Sequence, residues 1–186
     1  MHREPLLELL ARYADLWPDE HGATERFVRF VREHHDCLER TCVPGHITSS
    51  CWIVSPDGNH ALLTHHRKLG RWLQLGGHVD GEIAVAESAL REAREESGIA
   101  EFELVAWAGP VLVPLDLDVH TIPARKSDPE HLHWDVRFLL RVPFEQPLQL
   151  SEESNELRWV PLERLAELTD EESVLRLARK ARALCR

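Results

Sequence analysis

The chain has no long apolar run, no basic stripe and no Cys-x-x-Cys pair, and each absence removes a class of function. Its apolar stretches last only a few residues, far short of the about 20 that a membrane span requires. The opening segment MHREPLLELLARY carries Glu4 and Glu8 and lacks the unbroken apolar core of a secretory signal, so a cytoplasmic location is expected. Basic residues are outnumbered 22 to 32 by acidic ones, a net charge of −10, and no cluster of Lys and Arg could track a duplex. A nucleic-acid duplex and a membrane are therefore not expected partners, whereas a small phosphorylated metabolite held through a metal ion is compatible with this charge. The four cysteines, Cys37, Cys42, Cys51 and Cys185, are expected to be reduced thiols. The run HHDCLERTCVPGH gathers His34, His35, Cys37, Cys42 and His46. Its spacing fits no common zinc ribbon or finger, and a His-rich helix end with two buried thiols is the expectation.

What is present is an ordinary globular composition. The 186 residues are 43% hydrophobic and 29% charged, enough for one domain with a real core. Residues 4–42 have helical spacing: Leu6, Leu7, Leu9 and Leu10 open a first helix, Trp17-Pro18 breaks it, and Phe27, Phe30, Val31 and Leu38 mark the stripe of a second. From His46 the period becomes that of strands. ITSSCWIVS, HALLTHH and RWLQL are expected strands, followed by a glycine loop GGHVDGE and a helix from about Ala84 to Ser97 that Gly98 closes. FELVAWAG, VPLDLDVHTI, HLHWDVRFLLRV and ELRWV read as further strands, and PLERLAEL and SVLRLARKARAL as closing helices. There are no repeats and no low-complexity segment. The pattern predicts a mixed α/β domain preceded by helices in residues 1–45.

The helix between Ala84 and Ser97 carries an electrostatic liability. Ala86, Leu90, Ala93 and Ser97 form a stripe suited to packing on a sheet, and Glu87 and Arg91 are placed for an i,i+4 pair. Glu92, Glu95 and Glu96 share another face, where they repel one another and lie toward the C-terminal end, the wrong end for the helix dipole. A solvated acidic face is the ordinary explanation of such a run. A tight glycine loop immediately upstream favours another one: several carboxylate oxygens converging beside backbone suit Mg²⁺ or Mn²⁺.

GGHVDGEIAVAESALREAREESGI, Gly76 to Ile99, resembles the signature of the Nudix hydrolases, G-x5-E-x7-R-E-U-x-E-E-x-G-U with U aliphatic. Arg91, Glu92, Ala93, Glu95, Glu96, Gly98 and Ile99 match its second half, with Ala93 in an aliphatic position. The flanking LLTHH…GRWLQLGGH and ESNELRWVPLERL resemble the family's neighbouring segments, so the likeness covers about Ile47 to Leu168. The signature's first glutamate is displaced: counted back from Arg91 it falls on Ile83, while counted from Gly76 it falls on Glu82, one residue too far from Arg91. Glu82 from a longer loop, Asp80, or no residue at all could fill that place.

The resemblance implies an α/β/α sandwich with a mixed sheet over residues 46–186, carrying the helices of 1–45 as an N-terminal extension. It implies a divalent-metal-dependent hydrolase that cleaves the diphosphate of a nucleoside diphosphate linked to another group, ADP-ribose or a related nucleotide. Glu92, Glu95 and Glu96 would bind Mg²⁺ or Mn²⁺, and Glu92, Arg91 and Glu95 would form the catalytic set, Arg91 orienting Glu92. Gly76, Gly77, Arg67 and Arg71 would meet the substrate, with His65, His66 and Lys68 beside them. An acid from outside the box is sought among Glu153, Glu156 and Asp135. Pro114, fifteen residues beyond Ile99, is a hint toward ADP-ribose.

Two further patterns stay open. Asp116, Asp118 and His120 share a strand face, as do His131, His133, Asp135 and Arg137 on the next strand. Joined by TIPARKSDPE as a hairpin, these faces would form a pocket wall, a second metal site or a plain exposed sheet face. Trp52, Trp72, Trp107 and Trp134 could stack a base, although core packing is the commoner use. The N-terminal helices either cap the fold or build a homodimer. The rival function is a Nudix-fold sensor that binds a nucleotide without cleaving it; an isopentenyl diphosphate isomerase is disfavoured because no cysteine adjoins the signature.

Overall fold

A computed structural model describes residues 2–125 and 129–184; Cys185 lies outside the described residues, as does the middle of the TIPARKSDPE connection. Helices α1 (Glu4–Leu16) and α2 (His21–Glu33) precede the strands β1 (Gly45–Val54), β2 (His60–His66), β3 (Arg71–Leu73) and β4 (Leu75–His78). Helix α3 (Val85–Ser97) is followed by β5 (Glu103–Leu104), β6 (Asp116–Ile122), β7 (His131–Arg141) and β8 (Ser154–Pro161), and α4 (Leu165–Leu168) and α5 (Glu172–Leu184) close the chain. No helix among the described residues is long and apolar enough to cross a membrane.

Strand β1 organises the sheet. One edge pairs in parallel with β7 over its whole length, from Gly45 opposite Leu132 to Val54 opposite Arg141. The other edge is shared, antiparallel to β4 through Thr48–Cys51 and to β2 through Ile53 and Val54. The remaining ladders are antiparallel, so the sheet is mixed, as expected. Alternation sends side chains to two cores. Ile47, Cys51, Ile53, Trp134, Val136 and Phe138 pack with α1, α2 and α3, whereas Trp52, Val54 and Leu139 pack with α4 and α5. The result is the expected α/β/α sandwich, and the N-terminal helices cover one sheet face. Trp134 stacks on Phe30 at 4.4 Å and meets Phe27 edge-on at 5.1 Å, which fixes α2 over β7.

Gly45 shows how closely β1 and β7 approach, because a Cβ there would overlap the Leu132 carbonyl oxygen. Gly45→Ala is expected to cost about 1–3 kcal/mol, as overpacking against backbone does, and urea unfolding would register it as a lower midpoint.

Several expected elements are shorter than their sequence pattern. Helix α2 stops at Glu33, and residues 34–42 form turns that send Cys37 and Leu38 into the core, with Ile47 N–H donating to the Cys37 carbonyl at 2.7 Å. In FELVAWAG only Glu103–Leu104 is strand; Trp107 then anchors the loop by packing at a tilt against Trp17 and donating to the Val113 carbonyl at 3.1 Å. PLERLAEL yields a 3-10 turn and the single turn of α4. RWLQL and the first glycines divide into β3 and β4, so Gly76 and Gly77 lie in a strand opposite Ser50 and Ser49. Only glycine fits at 76, where φ is +152° and a Cβ would collide with Ser50.

The polar faces of β6 and β7 do lie side by side, Asp118 opposite Asp135 and His120 opposite His133. At one end they are not an exposed sheet face, since Asp116 is 0%, Asp135 3% and Arg137 2% exposed, whereas His120 at the other end is exposed. Arg137 donates to Asp135 at 2.8 Å, Asp118 at 2.9 Å and Asp116 at 3.3 Å. From α5, Arg176 reaches Asp116 at 2.8 Å and Asp118 at 2.7 Å, and Lys180 reaches Asp116 at 2.7 Å. Lys180 also meets Tyr13 and Glu20, each at 2.6 Å, so one ionic network joins β6, β7, α5 and the end of α1. Removing one partner from a paired network of this kind leaves a charge buried alone, so the network ties these elements to one another.

Candidate active site

Helix α3 packs through Val85, Ala86, Ala89, Leu90, Ala93 and Ser97, all buried, and Gly98 ends it with φ +72°. This packing turns the glutamates toward β4. Glu96 is 9% exposed and accepts the Gly76 N–H at 3.1 Å. Glu92 lies against Gly77, where a Cβ would come within 2.5 Å of its carboxylate. Glu95 stays exposed. Arg91 does not pair with Glu87; it donates to Glu92 at 2.7 Å and to the His78 carbonyl at 2.8 Å, and reaches Glu95 at 3.6 Å. Its planar fork thus ties the helix to the end of β4 while orienting Glu92.

Burial sets the charge state of this group. Glu96 is pushed up to about 8 by desolvation, with the Gly76 N–H opposing and Glu92, Glu153 and Glu95 adding to the rise. Desolvation also raises Glu92, and Arg91 pulls it back down. Of the three acids considered from outside the box, Glu153 is the one whose charge is felt at both Glu92 and Glu96. Asp135 is removed from that role by its bonds to Arg137, Thr48 and Ser50, and exposed Glu156 is occupied by Arg158 at 2.6 Å.

The two acids considered for the displaced glutamate are both engaged elsewhere. Asp80, at φ +51°, forms a two-pronged pair with Arg40, one bond being 2.6 Å, and that pair holds its carboxyl below the usual range. Glu82 accepts the Ala84 N–H at 3.0 Å at the start of α3, and Ile83 is 43% exposed.

Of the basic candidates, Arg67 is bound to the segment carrying Glu153, its N–H to the Glu153 carbonyl at 2.9 Å and its guanidinium to the Ser154 carbonyl at 3.3 Å. His66, half-buried, also feels Glu153. Arg71 instead pairs with Glu171 at 2.9 Å. Among the tryptophans, Trp52 is fully buried, Trp134 and Trp107 are packed as described, and half-buried Trp72 lies between Arg158 and His65. A cavity of about 580 Å³ between α1 and α2, lined by Leu10, Thr24, Val28 and their neighbours, includes none of these carboxylates.

The suggested cluster of residues 34–46 divides. His34, Asp36 and Cys42 stay together, and Cys37 is buried in the core. His46 instead joins His131 and His133 across β1 and β7. Sequence reasoning linked His46 to its neighbours in the chain; the signal for its true partners was equal strand parity, which needs the β1–β7 register to be used.

A family model, the NUDIX domain, matches residues 44–180. The chain belongs to the Nudix family. Membership makes it a hydrolase of phosphoanhydride bonds, a Nudix-type pyrophosphohydrolase. A Nudix-family hydrolase from Clostridium perfringens is 26% identical, with a TM-score of 0.60 over 76% of this chain and 98% of its own. An Ap4A hydrolase from C. elegans, solved as a binary complex, is 21% identical, with a TM-score of 0.55 over 75% and 96%. The NUDIX domain of Shewanella oneidensis NrtR, solved with ADP ribose, is 18% identical, with a TM-score of 0.51 over 75% and 88%. The last two share the fold of this Nudix chain. No curated protein matches its sequence closely enough to count as a relative.

Proposed function

We propose that this Nudix protein is a cytoplasmic, Mg²⁺- or Mn²⁺-dependent hydrolase that cleaves the diphosphate of a nucleoside diphosphate linked to a further group, of the ADP-ribose type. The observation carrying the reading is an unbalanced carboxylate set that includes one buried member, Glu96. Glu92 and Glu96 are held against β4, Glu95 and Glu153 add their charge, and Arg91 is bonded to Glu92 and reaches Glu95. An oxygen-only donor set of this charge fits a hard divalent cation, and Gly77 leaves room for the Glu92 carboxylate that any larger residue would fill.

Glu92, Glu95 and Glu96 would hold the cation, which when bound supplies a Lewis acid to the phosphoryl oxygens and lowers the pKa of attacking water. Glu92, its carboxyl raised by burial, is the candidate base, and Arg91 positions it. Exposed Glu95 offers its oxygens on the open side, where an anionic diphosphate arrives. Arg67, near Glu153, is the candidate contact for the substrate's phosphates, together with the backbone of Gly76 and Gly77; Arg71 is retained only if its pair with Glu171 opens. The family match starting at residue 44 supports treating residues 1–45 as a helical addition and 46–186 as the hydrolase domain.

The test is hydrolysis of ADP-ribose, dinucleoside polyphosphates, NADH and nucleoside triphosphates, with and without Mg²⁺ or Mn²⁺. Metal-dependent release of a nucleoside monophosphate from the diphosphate-linked compounds is expected. Metal-dependent binding without product would favour the sensor, and the engagement of Asp80 and Glu82 away from the glutamates would then be its explanation. Gly77→Ala is expected to leave the fold intact, because the atom it meets is the end of a flexible Glu side chain. It should lower metal affinity and turnover by about 10–100-fold, as loss of ligand support does, measurable by calorimetry and initial rates.

A further inference from the structure

Near the end of β4, the structure also gathers imidazoles. His46 on β1, His133 on β7 and His120 on β6 occupy one row across three strands, and His131 lies two residues from His133 on the same face. His78 on β4 completes the group: the rings of His46 and His78 are 5.0 Å apart, those of His46 and His131 5.1 Å, and those of His46 and His133 4.8 Å. His46 is 3% exposed, yet among the described residues neither of its nitrogens has a hydrogen-bond partner, and His133 Nε2 is likewise buried without one. A buried imidazole nitrogen without a partner carries a desolvation cost that a bound cation would offset.

We propose that His46, His131 and His133 form a binding site for a late first-row cation of the zinc class, separate from the carboxylate site and independent of the hydrolase reading. One nitrogen from each of the three lies within 4.8 Å of the others. Zn–N bonds of about 2.0–2.1 Å in tetrahedral array put ligand nitrogens about 3.3 Å apart, so the rings must close by about 1.5 Å at most. His131, only partly buried, has the freedom to supply that movement.

Its tautomer is already set. His131 Nδ1 is 2.8 Å from the Pro129 carbonyl oxygen, which can only accept, so Nδ1 carries the proton and Nε2 offers its lone pair. Arg40, whose positive charge reaches His46, is paired with Asp80, which offsets that charge in part. Three imidazoles favour zinc, cobalt, nickel or copper over magnesium, so the two sites separate by ligand chemistry. Three protein ligands leave a fourth position for water or another small ligand.

The experiment uses the untagged chain, loaded with Zn²⁺ and desalted in excess Mg²⁺ to occupy the carboxylates, with retained zinc measured by mass spectrometry. One zinc per chain is expected in the wild type, in Glu96→Gln and in Cys42→Ser, the last controlling for the His34–Asp36–Cys42 group. His131→Gln and His133→Gln should lose it, by at least about 10-fold in affinity. Circular dichroism checks folding, and half-exposed His131 supplies the variant least able to disturb the core. Co²⁺ substitution should give the intense visible absorption of a low-coordinate nitrogen site in the wild type and not in the His variants. No zinc retained by the wild type, zinc retained by both folded His variants, or zinc lost from Glu96→Gln or Cys42→Ser would each overturn the assignment.

Discussion

Glu96→Gln is expected to lower metal-dependent turnover by on the order of 10²–10³-fold, the equivalent of the several kcal/mol that a bound divalent ion contributes to phosphoryl chemistry. The same substitution should stabilise the metal-free protein. Glu96 is nearly buried, its carboxylate accepts only the Gly76 N–H among the described contacts, and Glu92, Glu95 and Glu153 repel it. A glutamine makes the same contact without the desolvated charge, for a gain of about 1–3 kcal/mol at neutral pH. The sign follows from the direction of the shift. Glu96 titrates near 8 in the folded protein against 4.5 ordinarily, so between those values the folded state binds the extra proton. Wild-type stability therefore falls as pH rises from 4.5 to about 8. Thermal melts in a chelator should show variant and wild type converging below pH 4.5 and farthest apart above pH 8. An acidic helix face in ordinary solvent would give neither the gain in stability nor its pH window.

Arg137→Met carries the second large effect, this time on the fold. Arg137 is 2% exposed and is bonded to Asp135, Asp118 and Asp116; truncating it leaves Asp135 without an ionic partner and the other two reliant on Arg176 and Lys180. Breaking a buried ion pair from one side costs about 3–5 kcal/mol. At about 2–4 °C per kcal/mol for a chain of this size, the melting temperature should drop by roughly 6–20 °C. Adding Asp135→Asn should recover part of the loss, because the uncompensated charge is removed, and the double-mutant cycle reads that coupling directly. If Arg137→Met melted with the wild type, the network would be incidental to the packing of α5 on β6 and β7.

The acidic box was legible because its chemistry is local. Glu92, Glu95 and Glu96 are spaced to share a helix face, Gly98 ends that helix with a positive φ, and both features follow from sequence distance alone. What could not be read depended on partners far along the chain. Arg91 had Glu87, Glu92 and Glu95 as acidic neighbours on its helix; the family likeness pointed to Glu92, but spacing alone favoured Glu87, and the contact with the His78 carbonyl on β4 was not readable. Gly76 and Gly77 read as a loop because glycines usually do; β1 supplies an edge that draws them into a strand. Alternation correctly put Asp116 and Asp118 on one face, but whether that face met solvent depended on Arg176 and Lys180, some sixty residues away on α5. His46 likewise found its partners through the parallel register with β7, a relation that no local pattern encodes.

The most direct test of the central claim is a Mn²⁺ titration of the chelator-treated protein, following the electron paramagnetic resonance signal of free Mn²⁺. The account predicts saturable binding in the wild type and in His131→Gln, and binding at least about 10-fold weaker in Glu92→Gln and Glu96→Gln. Equal Mn²⁺ affinity in the wild type and both glutamine variants would contradict it, because the glutamates of α3 would then be tolerated for a reason other than a cation among them.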